Sequence, residues 1–294
     1  MPRRRAPATR KVASRPAHDR VVLVLQGGGA LGAYQAGVYE GFAEAGIFPD
    51  WVTGVSIGAI NAALIAGNAP EHRIPRLREF WNRVSSGPVF PLPPDIDPWR
   101  LAFGSASATT VATLGAPGFF TPRVPGPFFA PRDTPEALSV YDTSPLRDTL
   151  TELVDFDLVN ARAVRLSVGA VNIRTGNSVY FDSHDPGLAF GPEHVMASGA
   201  LPPGFPPVTI GGEPYWDGGL ASNSPLWYVL DDDPSLNALI AQVDLFSARG
   251  EMPRNLDEVL ERAKDIQYSS KTRFNTNRVK ELEDLRVALR RVLE

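Results

Sequence analysis

Cysteine is missing from all 294 residues. Its absence excludes a disulfide scaffold, a thiol nucleophile and thiolate-bound zinc, and leaves the redox compartment open. Histidine is nearly as scarce, with only His18, His72, His184 and His194, so any chemistry that needs an imidazole has few residues to draw on. Long apolar runs are also lacking. Val21 to Leu25 and Ile57 to Ala66 are the strongest, and the second is interrupted by Asn61; both fall short of the roughly 18 residues that suggest a membrane span. A cytoplasmic protein is expected, with peripheral contact at a membrane left open.

Net charge is small, −4 from 29 basic and 33 acidic residues, but it is unevenly spread. Residues 1–20 hold six Arg, one Lys and one Asp, a formal +6, which leaves −10 on the remainder. Such a segment can touch anionic lipid or nucleic acid, or address an organelle, yet it lacks the apolar core of a secretory signal. It reads as a basic, disordered leader, and nucleic acid is not an expected partner.

With 43% apolar and 21% charged residues, the rest can bury a sizeable core. The expected division is a catalytic domain over 21–250 and a helical C-terminal extension over 251–294. Val21 to Leu25 reads as a strand buried on both faces of a parallel sheet. A helix should follow over Ala33 to Ala45, with Gly46 as its stop. Trp51 to Val55 gives a second strand and Ile57 to Ala66 a buried helix. Val164 to Val171 and Ser178 to Phe181 read as two strands joined by a tight turn, and Leu239 to Phe246 as another. Between 88 and 135, eleven prolines alternate with Phe90, Trp99, Phe103, Phe119, Phe120, Phe128 and Phe129. An insertion of this length and texture either packs its aromatics onto the domain or forms an apolar mouth or lid. In the tail, Leu256, Val259, Leu260, Ala263 and Ile266 recur at helical spacing, as do Leu282, Leu285, Leu289 and Val292. Both stripes are expected to pack on protein, with a homo-oligomer through these helices among the arrangements left open.

Three short motifs carry the chemistry. Gly27-x-Gly29-x-x-Gly32 lies between a strand and a helix and formally satisfies the dinucleotide fingerprint. That fingerprint needs an acid at the carboxyl end of the second strand. Asp50 precedes Trp51 to Val55 instead, and no Gly-Lys-Ser/Thr makes a phosphate loop. What the loop offers is a run of unencumbered backbone amides beside a helix N-terminus, suited to an oxyanion. Gly54-x-Ser56-x-Gly58 places a serine on a tight strand-to-helix turn, the setting of an exposed nucleophile. Serine needs a base. On residues alone, His184 or His194 with an acid from Asp142 to Asp182 competes for that role with Asp217, which precedes Gly218 and Gly219 after a strand-like Pro214 to Trp216. Burial in an apolar site would raise the carboxyl toward a useful range.

Taken together, these motifs resemble those of the patatin-like phospholipase family from about Val21 to Pro225. The resemblance implies an α/β fold of three layers, a mostly parallel central sheet flanked by helices, and a lipase or phospholipase A-type hydrolase acting on lipid or other acyl esters. It implies a Ser56–Asp217 dyad without histidine, with Gly27, Gly28 and Gly29 as the oxyanion glycines and the Ile57 amide as a further donor. No cofactor and no metal are implied. Gln26 departs from the pattern, since many members carry Asp before the glycines. Ala197 to Pro207 resembles the family's segment ahead of the acid, either shaping an acyl pocket or routing the chain.

Overall fold

The computed structural model describes residues 18–85, 111–132, 134–232 and 237–269, and beyond these the positions 280–281, 284–285 and 288–289. Most of the basic leader, the first part of the insertion up to residue 110 with Phe90, Trp99 and Phe103, and much of the second tail stripe, including Leu282 and Val292, lie outside the described residues.

Strand β1, Arg20–Leu25, is aliphatic at five of its six positions, and the same five are buried. Its alternation distributes the side chains to two cores. Leu23 and Leu25 join the larger one, whereas Val22 and Val24 pack with Trp51, Leu226 and Val229 on the opposite face. A strand apolar on both faces belongs inside a layered sheet, and β1 lies between β2 (Trp51–Val55) and β9 (Ala238–Val243), parallel to both. The full order is β7 (Val208–Ile210), β8 (Glu213–Asp217), β5 (Arg165–Asn172), β2, β1, β9, with β6 (Ser178–Asp182) also paired to β5, while β3 (Thr121–Pro122) and β4 (Tyr141–Asp142) form a separate antiparallel pair. Only β6 and β8 run against the other five strands of the main sheet. The fold is therefore α/β, with a mostly parallel sheet between helical layers. Strand β9 stops at Val243, earlier than the apolar run to Phe246 suggests.

Helix α1, Ala33–Glu44, is entered through a 3-10 turn, Gly29–Gly32, and closes at Gly46, whose φ of 73° is left-handed. Helix α2, Ile57–Ala66, is buried at all ten positions. Each fully buried Ile or Leu in it contributes about 1.5–3 kcal/mol, so this helix anchors the larger core. Sequence patterning assigns no element to the charged stretch after it, yet Pro70–Val84 is helix α3, begun by Pro70 in the first turn. Its apolar positions Leu77 and Phe80 face the core while arginines cover the outside. Arg73 is buried and capped by the Asn68 carbonyl and the Tyr39 hydroxyl. Shorter helices follow at Ser144–Leu153, Phe156–Asn160, Pro192–Ser198 and Leu226–Asp232. Among the described residues no helix is long and apolar enough to cross a membrane.

The insertion divides in two. Phe119 and Phe120 pack with Phe80, Tyr141 and Phe205 in one aromatic cluster, while Phe128 and Phe129 stand 97% and 82% exposed. Packing thus accounts for the first pair and not the second. The first tail stripe departs from expectation. Leu256–Tyr268 is a helix, as its spacing suggests, but it buries no residue: Leu256, Val259, Leu260 and Ile266 are exposed rather than packed on protein. The other side of this helix, with Glu261, Lys264, Asp265 and Tyr268, borders the cavity described below.

Candidate active site

β5 is the common rail on which the candidate site is assembled. Its residues 167–169 pair with β2 and β6 at once, and Ala170 and Val171 pair with β6 and β8 at once. A strand has two edges, so β2 and β8 must share the one that β6 leaves free. β2 ends opposite Gly169, where Val55 pairs, and β8 ends one residue further along, where Asp217 pairs with Ala170. The two strands run in opposite directions and meet end to end. Ser56, one residue past β2, and Asp217, the last of β8, are brought together by backbone register although 161 residues separate them.

The turn holding Ser56 is strained. Its φ of 56° and ψ of −126° lie in a region that non-glycine residues rarely occupy, as expected of a serine thrust out between strand and helix. The strain is held by neighbours. The Ser56 amide donates to both the carbonyl and the hydroxyl of Ser198, at 3.1 and 3.0 Å, and that hydroxyl donates onward to the Gly169 carbonyl at 2.6 Å. Two residues later the Ala200 carbonyl accepts the Asp217 amide at 3.0 Å. The segment from Ala197 therefore grips the backbone of both residues, in addition to contributing Leu201 to the pocket wall. Gly54 and Gly58 have no room for a side chain: a Cβ on Gly54 would strike the backbone of Gly58, and one on Gly58 would strike the Leu25 and Gln26 carbonyls. Gly32 leaves space for the Ile57 side chain, which is buried.

Asp217 is 1% exposed. Burial pushes its carboxyl up to about 6, against the pull of hydrogen bonds from the Ser56 side chain and the Gly219 amide. The Gly219 N–H donates to Oδ1 at 2.7 Å. Gly218 is pressed against the Gly169 backbone, where a side chain would not fit.

The glycine loop runs past the same place. The Gly27 amide donates to the Asn223 carbonyl at 3.1 Å, and the Asn223 side-chain amide returns a bond to the Gly27 carbonyl at 3.0 Å. Gly27 is thereby a fixed point and not a free donor. The amides of Gly28, Gly29 and Ile57 have no partner among the described residues, and Gly29 has the left-handed φ of 56°. Beneath the loop lies a buried polar chain that sequence reasoning missed: Gln35 donates to the Gln26 carbonyl, Asn61 to the Gly32 carbonyl and the Gln35 side chain, and Trp81 to Asn61. Asn61, which interrupts the apolar run of α2, was its only outward signal.

Gln26 uses both ends of its amide. Its oxygen accepts the Leu245 and Phe246 amides at 2.5 and 3.0 Å, and its nitrogen donates to the Tyr268 carbonyl at 3.0 Å. Asn223 also donates to that carbonyl, at 2.8 Å. An aspartate could not make the donated bond. The end of the Leu256–Tyr268 helix is in this way tied to the glycine loop.

These elements border an open cavity of about 770 Å³ lined by Gly27, Gly28, Gly29, Ser56, Asp217 and Gly219, with Leu31, Leu201 and Leu245 as apolar wall and residues of the C-terminal helix also on its lining. That volume is in the range of small-molecule sites. None of the four histidines lines it. His184 is exposed, and its backbone amide bonds Asp182. His194 is buried between Phe181 and Phe190, bonded through Nδ1 to Gly191, with its pKa lowered by burial. No group of three or more His, Asp or Glu side chains is placed to hold a metal ion among the described residues.

A family model described as patatin-like phospholipase matches residues 23–230. A stretch of 108 residues is 37% identical to lysophospholipase nte1 of Aspergillus terreus, covering 36% of this chain and 6% of that protein, so the chain corresponds to a small part of its relative. The crystal structure of VipD from Legionella pneumophila aligns with 77% of this chain and 50% of its own, with a TM-score of 0.41 and 16% identity.

Proposed function

The chain belongs to the patatin-like phospholipase family, and from that premise we propose that it is a lipid acyl hydrolase cleaving carboxylic esters through Ser56 and Asp217. The observation that carries the proposal is the buried carboxyl of Asp217 set against Ser56 where β2 and β8 meet. In the proposed reaction, ionised Asp217 takes the Ser56 proton as the hydroxyl oxygen attacks the acyl carbonyl. The Gly28, Gly29 and Ile57 amides stabilise the oxyanion, while Gly27 fixes the loop that presents them. Collapse of the tetrahedral intermediate returns the proton to the leaving alcohol. Water, deprotonated by Asp217, then attacks the acyl-enzyme, and the acid is released with Ser56 reprotonated.

A raised pKa suits this cycle. A carboxylate near 6 is still ionised at neutral pH yet is a stronger base than an exposed aspartate. Lipid substrate and, at a membrane surface, peripheral contact belong to the same proposal; the apolar cavity wall supports the first and the exposed Phe128 and Phe129 the second.

The test is covalent. A fluorophosphonate probe should label the wild-type protein once, at Ser56, and Ser56→Ala should lose both labelling and ester hydrolysis while keeping its circular dichroism spectrum. Labelling of Ser56→Ala at native stoichiometry would overturn the assignment.

A further inference from the structure

A helix in water normally turns its apolar stripe inward and its charges outward. Leu256–Tyr268 buries neither face, and it is the charged stripe that borders the cavity. Leu256, Val259, Leu260 and Ile266 are exposed, and Glu261, Lys264, Asp265 and Tyr268, one continuous stripe at i, i+3, i+4 and i+7, line the cavity that contains Ser56. Built anchors hold it in this orientation. Gln26 and Asn223 grip the Tyr268 carbonyl, and Arg262 donates to the Ser247 and Ala248 carbonyls. The helix lies wholly beyond the family-matched residues 23–230, and Gln26, whose donor amide the tie requires, is the position at which the sequence departs from the family's pattern.

The stripe that borders the cavity has its own charge pattern. Lys264 forms no ion pair among the described residues and holds its ammonium 5.7 Å from the centre of the Phe246 ring. Glu261 and Asp265 flank it, also without ion-pair partners among the described residues, and Phe246 and Tyr268 lie 5.7 Å apart between ring centres. A cation with two carboxylates and two aromatic rings complements a ligand that carries both a negative and a positive group. A phosphate meets the ammonium, and a quaternary or primary ammonium meets the carboxylates and aromatic faces.

We propose that Glu261, Lys264, Asp265 and Tyr268, with Phe246, form a subsite for a zwitterionic phosphodiester head, and that Lys264 determines specificity for the phosphate. The proposal rests on the hydrolase reading, because the subsite gains its meaning from the ester held at Ser56. The leucine wall takes the start of the acyl chain, and the charged helix takes the opposite end of the same molecule.

The experiment compares three esters with one acyl chain: a lysophosphocholine, a lysophosphatidic acid and a monoacylglycerol. In Lys264→Gln, kcat/KM on the two phosphate-bearing esters should fall about fivefold or more relative to the neutral one, the scale of one partly exposed charge-assisted contact. In the Glu261→Gln, Asp265→Asn double variant, the lysophosphocholine should fall relative to both others. That crossed pattern is one a merely structural role would not produce. Equal changes on all three substrates, or none, would overturn the subsite. If the wild-type protein cleaves none of them, the hydrolase reading is judged separately by fluorophosphonate labelling of Ser56. The subsite is then judged by calorimetric binding of glycerophosphocholine: weaker binding to Lys264→Gln supports it, and equal binding overturns it.

Discussion

Replacing Asp217 by Asn should make the protein more stable and inactive at the same time. Asp217 is buried, and its folded pKa of about 6 stands above the reference value of 3.8. Between those values the native state holds a proton that the unfolded chain has released, so stability from this group is complete below pH 3.8 and is lost as pH rises through about 6. A shift of about two units corresponds to about 3 kcal/mol, of which about 2.5 falls between pH 4 and pH 8. Asn matches the neutral acid in shape and keeps an oxygen for the Gly219 amide, so it escapes the penalty of the buried charge. The stability difference between variant and wild type should therefore grow in favour of Asn by about 2.5 kcal/mol from pH 4 to pH 8, or roughly 5–10 °C in Tm. Contributions of every other titrating group cancel in that difference. Urea titrations at the two pH values read it directly, and activity assays should show turnover reduced about 10²–10⁴-fold. A difference that is independent of pH, or one that moves against Asn as pH rises, would refute the account of Asp217 as a carboxylate ionised at a cost.

The wild-type pH–rate profile for kcat/KM should rise with a midpoint near 6 and level above it, since the ionised carboxylate is the active form; a midpoint near 4 would show an acid unaffected by its burial. Ser198→Ala removes the hydroxyl that joins the Ser56 amide to the Gly169 carbonyl and should lower stability by about 1–3 kcal/mol together with kcat, whereas unchanged kcat would limit Ser198 to folding. Phe119→Ala should destabilise the fold by about 3 kcal/mol or more by opening the aromatic cluster. Phe128→Ser with Phe129→Ser should leave the Tm unchanged and weaken binding to phosphatidylcholine vesicles, measured by sedimentation.

The strands and helices that carry the motifs were legible because their patterns were simple. β1, β2 and α2 are short, mainly apolar runs bounded by glycine or by the motif serine, and a layered sheet with a buried helix against it buries such runs. Helix α3 escaped notice because only a narrow stripe, with Leu77 and Phe80, marks it among many charges. Ser56 and Asp217 could be named from motifs, but the contacts that support them could not. Ser198, Asn223 and Gln26 act through bonds spanning 142, 196 and 242 residues, and a polar residue gives no sign in sequence of so remote a partner. The tail misled for a related reason. Its periodicity announced a helix correctly, while the face turned to the protein was settled by hydrogen bonds to the Tyr268, Ser247 and Ala248 carbonyls rather than by hydrophobicity.

The end-to-end meeting of β2 and β8 along β5 separates the geometry of the site from the length of chain between its parts. The distance from serine to carboxylate is counted in rungs of a ladder, one per residue of β5, and not along the contour of the polypeptide. Segments that leave the ladder and return to the same rung can lengthen, shorten or change character without moving either group. The proline-rich insertion is one such excursion. Variation among relatives should therefore accumulate in these excursions, while a one-residue slip within β5, which would carry Gly169 and Ala170 off their rungs and turn each side chain to the opposite face, should be the change least tolerated anywhere in the molecule.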